Sequence, residues 1–473
     1  MKKTRRQFIR NTAITAASAC LSTELSFALD QQGPIAVELH PATVIRDKFL
    51  GFGAEWDSNA YTLSGVTNED FELIVKRVEW MKLPIVRMMI LSQWCYKGKD
   101  RFDWDDPHMM WLYRQLDVCQ RLGITVVLTD WGIESWAKIP DVSKMDDPKF
   151  ARIIARYMDH LLNKKGYTCI QYFVVCNEPN LECKDIERWM KAVEHISDKF
   201  HQAGFSDRIT LMGPDAAEAE NWVKTSVDRL QNRLGAYDFH SYATEAKLRN
   251  GTTQNLLQDN WKYALAKDPK AGGKPLMLSE AGISADGFSA SNNSLNLDPK
   301  YGVLMCDYAV QAANAGTWAI LAWMLDDNSH LDFNWGMWSS HKNGLAIKPW
   351  FYAWSLLCRI FRPGMSIVQA TCNSSEVQVL AAHEKQKISS PADRWAFCIV
   401  NNADTPRTVR LHQTKGPRLE MERYIYSSTS AKADSNGFPI PVDVANIDLG
   451  KGAELDCAAH SVLFLSASDH AGH

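Results

Sequence analysis

Beyond its N-terminal leader region, no segment of this chain reaches the roughly 18 consecutive apolar residues that a membrane-spanning helix needs. Neither sign of charge dominates: 52 Lys and Arg stand against 55 Asp and Glu, a net charge of -3. Acid and base are interleaved, so there is no basic footprint for nucleic acid and no basic tail for a membrane surface. The 11 cysteines are scattered and never form Cys-x-x-Cys. Cys119, Cys169, Cys176, Cys306 and Cys358 sit inside apolar runs, where a thiol behaves as a small buried hydrophobe, so they do not read as a disulfide framework. A glycine-rich phosphate loop is also missing, which weighs against a nucleotide-binding doubly wound fold. No cofactor and no metal are expected.

What is present is a composition of 46% hydrophobic and 23% charged residues over 473 positions, which fits a large globular domain with a smaller companion. Tryptophan is abundant, 17 against 13 His. Large aromatic rings fill big cores, and they also stack on the apolar faces of sugar rings. Residues 1–28 read as an export signal: Lys2, Lys3, Arg5 and Arg6 precede an Ala-rich run, and Ser26-Phe27-Ala28 offers a cleavage site. Thr4-Arg5-Arg6-Gln7-Phe8 resembles a twin-arginine signal, with an ordinary secretory signal as the alternative. Ala17-Ser18-Ala19-Cys20 resembles a lipoprotein box, which would place a lipid anchor on Cys20. The expected location is the periplasm, cell surface or exterior of a bacterium.

Between residues 49 and 361 short β-rich runs alternate with longer helical patterns. Strands are expected at 49–56, 84–90, 125–131, 171–176, 208–213, 237–241, 275–279 and 317–323. Helical stretches, such as 106–121, 149–162, 185–200 and 301–315, lie between most of them, and the last, 349–361, stops at Arg362-Pro363-Gly364. Eight sequential βα units predict a closed (β/α)₈ barrel over 29–363. After Gly364 short alternating runs at 377–381, 395–401, 408–411, 418–426 and 461–466 predict a small antiparallel β-sandwich over 364–473, which the β-like segment 35–45 could join.

The chemistry concentrates at two strand ends. Gln171-Tyr172-Phe173-Val174-Val175-Cys176 closes in Asn177-Glu178-Pro179, and Pro275-Leu276-Met277-Leu278-Ser279 closes in Glu280. Residues just past the C-terminal ends of barrel strands lie at the ligand-binding mouth. On the fourth and seventh strands, the two glutamates would face each other across one pocket. Paired carboxyls of this kind suit glycosidic cleavage, one protonating the leaving oxygen and one attacking the anomeric carbon.

Asn177-Glu178-Pro179 together with Glu280 resembles the clan A glycoside hydrolases, through the barrel as far as Trp323. Gly51-Phe52-Gly53-Ala54-Glu55-Trp56-Asp57 is similar to family 30 glucosylceramidase and galactanase types, and Asn177-Glu178-Pro179-Asn180 to family 39 β-xylosidases. The resemblance implies retention of configuration, with Glu178 as acid/base and Glu280 as nucleophile. It implies that Asn177 binds a sugar hydroxyl and that Arg87 contacts the nucleophile and lowers its pKa. His240 and Tyr242 would orient the nucleophile or touch substrate, and Trp323 would floor the first sugar site. Trp56 and Trp131, with Trp94, Trp136, Trp335 and Trp338, are candidates for further sugar sites. Cys176 departs from the family pattern, in which an aromatic residue often precedes the Asn-Glu pair. The expected partner is a β-linked poly- or oligosaccharide. Two other readings fit the sequence less well. A metal-dependent barrel hydrolase would want His-x-His after strand one, where Trp56-Asp57 stands, and a non-catalytic sugar-binding barrel is disfavoured by the presence of both glutamates.

Overall fold

The computed structural model describes residues 33–59, 61–285, 289, 291–329, 333–384, 394–429 and 431–467. The leader reading of residues 1–28, including Cys20, lies outside them. From Pro34 onward the chain forms one compact unit. Its first strand, β1 (Ile35–Arg46), belongs to an outer sheet. The next eight are β2 (Gly51–Glu55), β3 (Ile85–Ile90), β4 (Thr125–Asp130), β5 (Ile170–Val174), β6 (Thr210–Ala217), β7 (Ala236–Ala243), β8 (Leu276–Ile283) and β9 (Ala319–Ala322). They close in order into a parallel barrel, with β9 pairing back onto β2. The expected (β/α)₈ barrel is therefore present. Among the described residues no helix is long and apolar enough to cross a membrane.

The helices between strands are delimited by ordinary local chemistry. In the helix Pro107–Leu122, the Asp106 side chain accepts from the His108 N–H, Pro107 opens the first turn, and Gly123 closes it at φ 70°. The helix Asn68–Met81 begins with a Thr67/Asp70 capping box. Along a strand, the side-chain period of two sorts residues between barrel interior and helix layer. On β3, Val86, Met88 and Ile90 join the core beneath the helices. Ile85 joins the plug of the barrel interior with Val127, Tyr172, Val174, Met212 and Met277. Arg87 and Met89 share Ile85's face at successively higher levels, which brings a guanidinium into the barrel below its mouth.

Two β-bulges interrupt this register just where polar residues accumulate. On β6, Pro214 pairs with Asp238 and Ala216 with Phe239, so Asp215 is the extra residue, at φ 58°. On β8, Leu278 pairs with Phe239 and Glu280 with His240, so Ser279 is extra. A bulge lets neighbouring side chains be re-aimed toward the same side. The two extra residues meet: Ser279 Oγ donates to Asp215 Oδ1 at 2.8 Å. The bulged strands also run on past their expected ends, so Glu280 lies within β8 and not beyond it.

The C-terminal strands are β10 (Ser366–Cys372), β11 (Val377–Glu384), β12 (Arg394–Asn401), β13 (Arg407–His412), β14 (Arg418–Ser427), β15 (Asp443–Asp448), β16 (Ala453–Cys457) and β17 (Ser461–Ala467). With β1 they form one nine-stranded sheet, β15-β14-β17-β12-β11-β10-β1-β13-β16. The N-terminal strand does join it, pairing antiparallel with β10 and parallel with β13. That parallel pair makes the sandwich-like layer mixed, where a purely antiparallel one was expected. The sheet curls around its own apolar core, containing Val379, Ala381, Phe397 and Ile399. The alternate residues Leu380, Ala382, Cys398 and Val400 belong to the core shared with the barrel helices. Burial on both faces explains why β11 and β12 read as nearly unbroken apolar runs. The ten cysteines among the described residues are all free thiols.

The sheet docks on the helix Pro299–Asn314. Tyr426 Oη donates to the Pro299 carbonyl at 2.8 Å, and its ring lies where a side chain on Gly302 would be: a Cβ there would come within 2.5 Å of the phenol oxygen. Gly302→Ala is therefore expected to destabilise by about 1–3 kcal/mol through overpacking. The check is the thermal unfolding midpoint, which falls in Gly302→Ala; the fall is smaller when the same substitution is made on a Tyr426→Leu background, which removes the ring that the new methyl meets.

Candidate active site

Arg87 occupies the centre of the barrel's upper half and is fully buried. Its Nε donates to Thr129 Oγ1 (3.1 Å). Nη1 is shared between Glu55 Oε2 (3.0 Å) and Glu280 Oε2 (3.3 Å), and Nη2 between Asn177 Oδ1 (2.7 Å) and Asp215 Oδ2 (2.6 Å). Arginine has only donors, so it fixes the Asn177 amide with its oxygen inward. Asn177 N–H donates to the Asp130 carbonyl at 2.9 Å, and Glu178 N–H to the Asp215 carbonyl at 3.1 Å. Glu178 takes a left-handed backbone conformation at φ 45° and caps the short helix Pro179–Glu182.

His240 bridges the two glutamates. Its Nδ1 lies 3.1 Å from Glu178 Oε1 and 3.6 Å from Glu280 Oε2, while Nε2 lies 3.0 Å from Asp215 Oδ1. An oxygen of Glu178, an oxygen of Glu280 and a His240 ring nitrogen all fall within 4.8 Å of one another. Tyr242 Oη donates to Glu280 Oε1 at 2.5 Å. Gly282 makes room for that phenol, since a Cβ there would meet the Tyr242 ring at 2.7 Å.

Burial and charge set the protonation of this cluster. Burial alone would depress His240, but Glu280 and Asp215 beside it raise its pKa well above the ordinary imidazole value. Burial would likewise raise Asp215, yet Arg87 and His240 hold it well below the usual carboxylate range. Glu55, desolvated and only partly compensated by Arg87, is pushed up to about 8. Asp238 is raised by burial and by Asp215, whose backbone N–H it accepts at 3.0 Å. For Glu280, burial raises the pKa and Glu178 adds to it, while His240, Arg87 and Tyr242 pull it down; the net direction is upward. Arg87 thus acts on Glu280 in the expected sense, but its charge is divided among three carboxylates and burial outweighs it. Glu178, His240 and Glu280 are close enough to share a cation. An imidazole protonated on both nitrogens offers no lone pair to a metal, however, and Arg87 already supplies positive charge there.

Six of the expected residues therefore converge: Arg87, Asn177, Glu178, His240, Tyr242 and Glu280. Trp323, 7% exposed, clusters with Met89, Met324 and Trp335, and Trp131, Tyr242 and Phe333 pack against that group. Trp56 does not belong to the site. It is 1% exposed, its indole N–H donates to Tyr61 Oη at 3.0 Å, and it stacks on Phe71, so no face is open to a sugar. Trp94 is buried against His108, and Trp338 is buried beneath Arg77. Trp335 is buried too, edge-on to Tyr242. Glu55, Asp215 and Asp238 were not anticipated. Their only signal in the sequence is an acid set within an otherwise apolar strand.

No family model and no curated protein matches the chain. Solved structures do. The catalytic domain of GH30 xylanase C from Talaromyces cellulolyticus aligns over 92% of this chain and 100% of its own, with 12% identity and a TM-score of 0.66. An α-L-arabinofuranosidase from Thermotoga maritima, in complex with arabinose, covers 92% and 99% at 12% identity and 0.65. A monomeric β-xylosidase from Caulobacter crescentus covers 91% and 99% at 13% identity and 0.61. The fold of this chain, barrel and outer sheet together, is the one these three structures share.

Proposed function

We propose that this protein is a retaining glycoside hydrolase acting on β-linked poly- or oligosaccharides. The observation that carries the reading is the spacing of the two glutamates, whose nearest oxygens lie within 4.8 Å at the C-terminal end of the barrel. Retaining enzymes hold their carboxyls about 5–5.5 Å apart, whereas inverting ones leave about 6.5–9.5 Å for a water. Glycosidase neighbours of the same fold support the reading.

In this scheme Glu280 attacks the anomeric carbon while Glu178 delivers a proton to the departing oxygen. A glycosyl ester forms on Glu280, and its negative charge disappears. Glu178, now a carboxylate, takes a proton from water, and the hydroxide attacks the same carbon from the leaving-group side. Two displacements restore the original configuration. Tyr242 and Arg87 hold the Glu280 oxygens in place before attack and stabilise the carboxylate when it is released. The Asn177 amide nitrogen, facing away from Arg87, is the group offered to a sugar hydroxyl. The basic start and Ala-rich run of residues 1–28 support an exported enzyme.

Glu280→Gln is expected to lower kcat on an activated aryl β-glycoside by about 10⁴-fold or more, with the circular dichroism spectrum unchanged. Full activity in that variant contradicts the assignment. Glu178→Ala should be rescued by azide on the same substrate, giving a glycosyl azide of retained configuration by NMR; an inverted azide contradicts retention. The acidic limb of kcat/KM should lie above the ordinary glutamate value of 4.5, because burial raises the carboxyl that must be ionised. Tyr242→Phe removes a hydrogen bond that favours the ionised form, so the limb moves to still higher pH. A limb that stays put or moves down in the pH–rate profile contradicts the role of Tyr242.

A further inference from the structure

A tryptophan outside the glutamate cluster is held in an unusual setting. Trp136 is 44% exposed, yet its loop is tightly built. Gly132 turns the chain at φ 80°, and its carbonyl accepts from the N–H groups of Trp136 (3.0 Å) and Ala137 (2.7 Å). The Glu182 carboxylate accepts from the N–H groups of Gly132 (3.1 Å) and Glu134 (2.8 Å). Glu134 in turn accepts from Arg188 (2.7 Å) and from the Met145 N–H (2.9 Å). The indole lies directly on the Gly132 backbone, where a Cβ would come within 2.7 Å of it. A solvent-facing ring of this size, fixed by so many hydrogen bonds to its loop, is preorganised for a ligand.

Its position identifies the ligand. Trp136 meets Trp131 edge-to-face, with centroids 4.9 Å apart. Trp131 packs against the Met89–Trp323–Met324–Trp335 group, against which Tyr242 also packs. Aromatic packing therefore continues from Tyr242, which holds Glu280, through this buried group and Trp131 to the exposed Trp136. The loop is tied to that rim through Glu182, which ends the same short helix that Glu178 caps. Leu181 of this helix is itself 54% exposed. In the mechanism above, Glu178 stands over the leaving oxygen, so the surface adjoining its helix lies on the leaving-group side.

We propose that Trp136, backed by Trp131, is the stacking platform for the sugar ring on the leaving-group side of the scissile bond. The enzyme then recognises a chain that continues past that bond, and specificity resides partly in the departing sugar. This inference rests on the glycosidase reading above. Glycosyl fluorides separate the two, because fluoride departs without any ring to stack.

The test compares wild type, Trp136→Ala and Trp136→Phe on the β-fluorides of xylose, glucose and galactose and on the matching β-1,4-linked trisaccharides. For the sugar that wild type prefers, the ratio of kcat/KM on the trisaccharide to kcat/KM on the fluoride should fall by about tenfold in Trp136→Ala, equivalent to about 1.4 kcal/mol. The change should appear mainly in KM, and Trp136→Phe should restore most of the ratio. A ratio unchanged within about twofold overturns the platform. So does a wild type that cleaves fluorides but none of the trisaccharides. Failure of wild type on every probe, with no change in the tryptophan emission of Glu280→Gln on adding any trisaccharide, overturns the glycosidase reading and the platform with it.

Discussion

A guanidinium with no water around it must find its counter-charges within the protein, because the cost of stripping its hydration is recovered only by close, well-aimed partners. Arg87 is such a group, and the upper half of the barrel is arranged around it. It reaches Thr129 on β4, Asn177 after β5, Asp215 on β6 and Glu280 on β8, with Glu55 on its own neighbour β2. Five strands are thereby referred to one side chain. The planar fork of arginine suits this task, since each nitrogen projects in a fixed direction and a lysine could not hold several acceptors at once.

The same crowding decides where protons reside. Two cations, Arg87 and His240, cannot balance every carboxyl packed beside them. Asp215, touching both, stays ionised. Glu55 and Asp238, less well compensated, are raised toward the neutral form. Glu280 stands between these extremes, drawn up by burial and down by three partners. Such a balance makes a carboxyl responsive to the loss of any one neighbour, which suits the proposed nucleophile, whose charge is consumed and regenerated in each proposed cycle.

Much of this was legible in the sequence, for identifiable reasons. Asn177-Glu178-Pro179 stands out because a polar pair and a proline end an apolar run, and Arg87 because a charge interrupts Pro84-Ile85-Val86. Asp215 was not seen, because alternation reports inside and outside only while the register is regular, and Asp215 is itself the irregularity. Glu55 ends a short glycine-rich strand, buried throughout, that has no alternation to violate. Trp56 departs from expectation in the other direction. Its place beside a strand end is that of a sugar-binding ring, but Tyr61 and Phe71, brought in by the next helices, enclose it. A tryptophan's role is set by what folds over it, which its own position in the chain does not reveal.

The paired bulges carry a further consequence. Above Asp215 and Ser279 each strand is displaced by one step relative to a regular ladder, and everything toward the mouth inherits that offset. Removing Ser279 would turn Glu280 out of step with His240, and removing Asp215 would shift Ala216 and Ala217 against Phe239 and His240, in each case without altering the chemistry of the residues that follow. The candidate site is thus encoded in chain length as much as in residue identity. Insertions and deletions at these two positions would be far less tolerated than most substitutions nearby, a constraint that a comparison of amino-acid types alone would overlook.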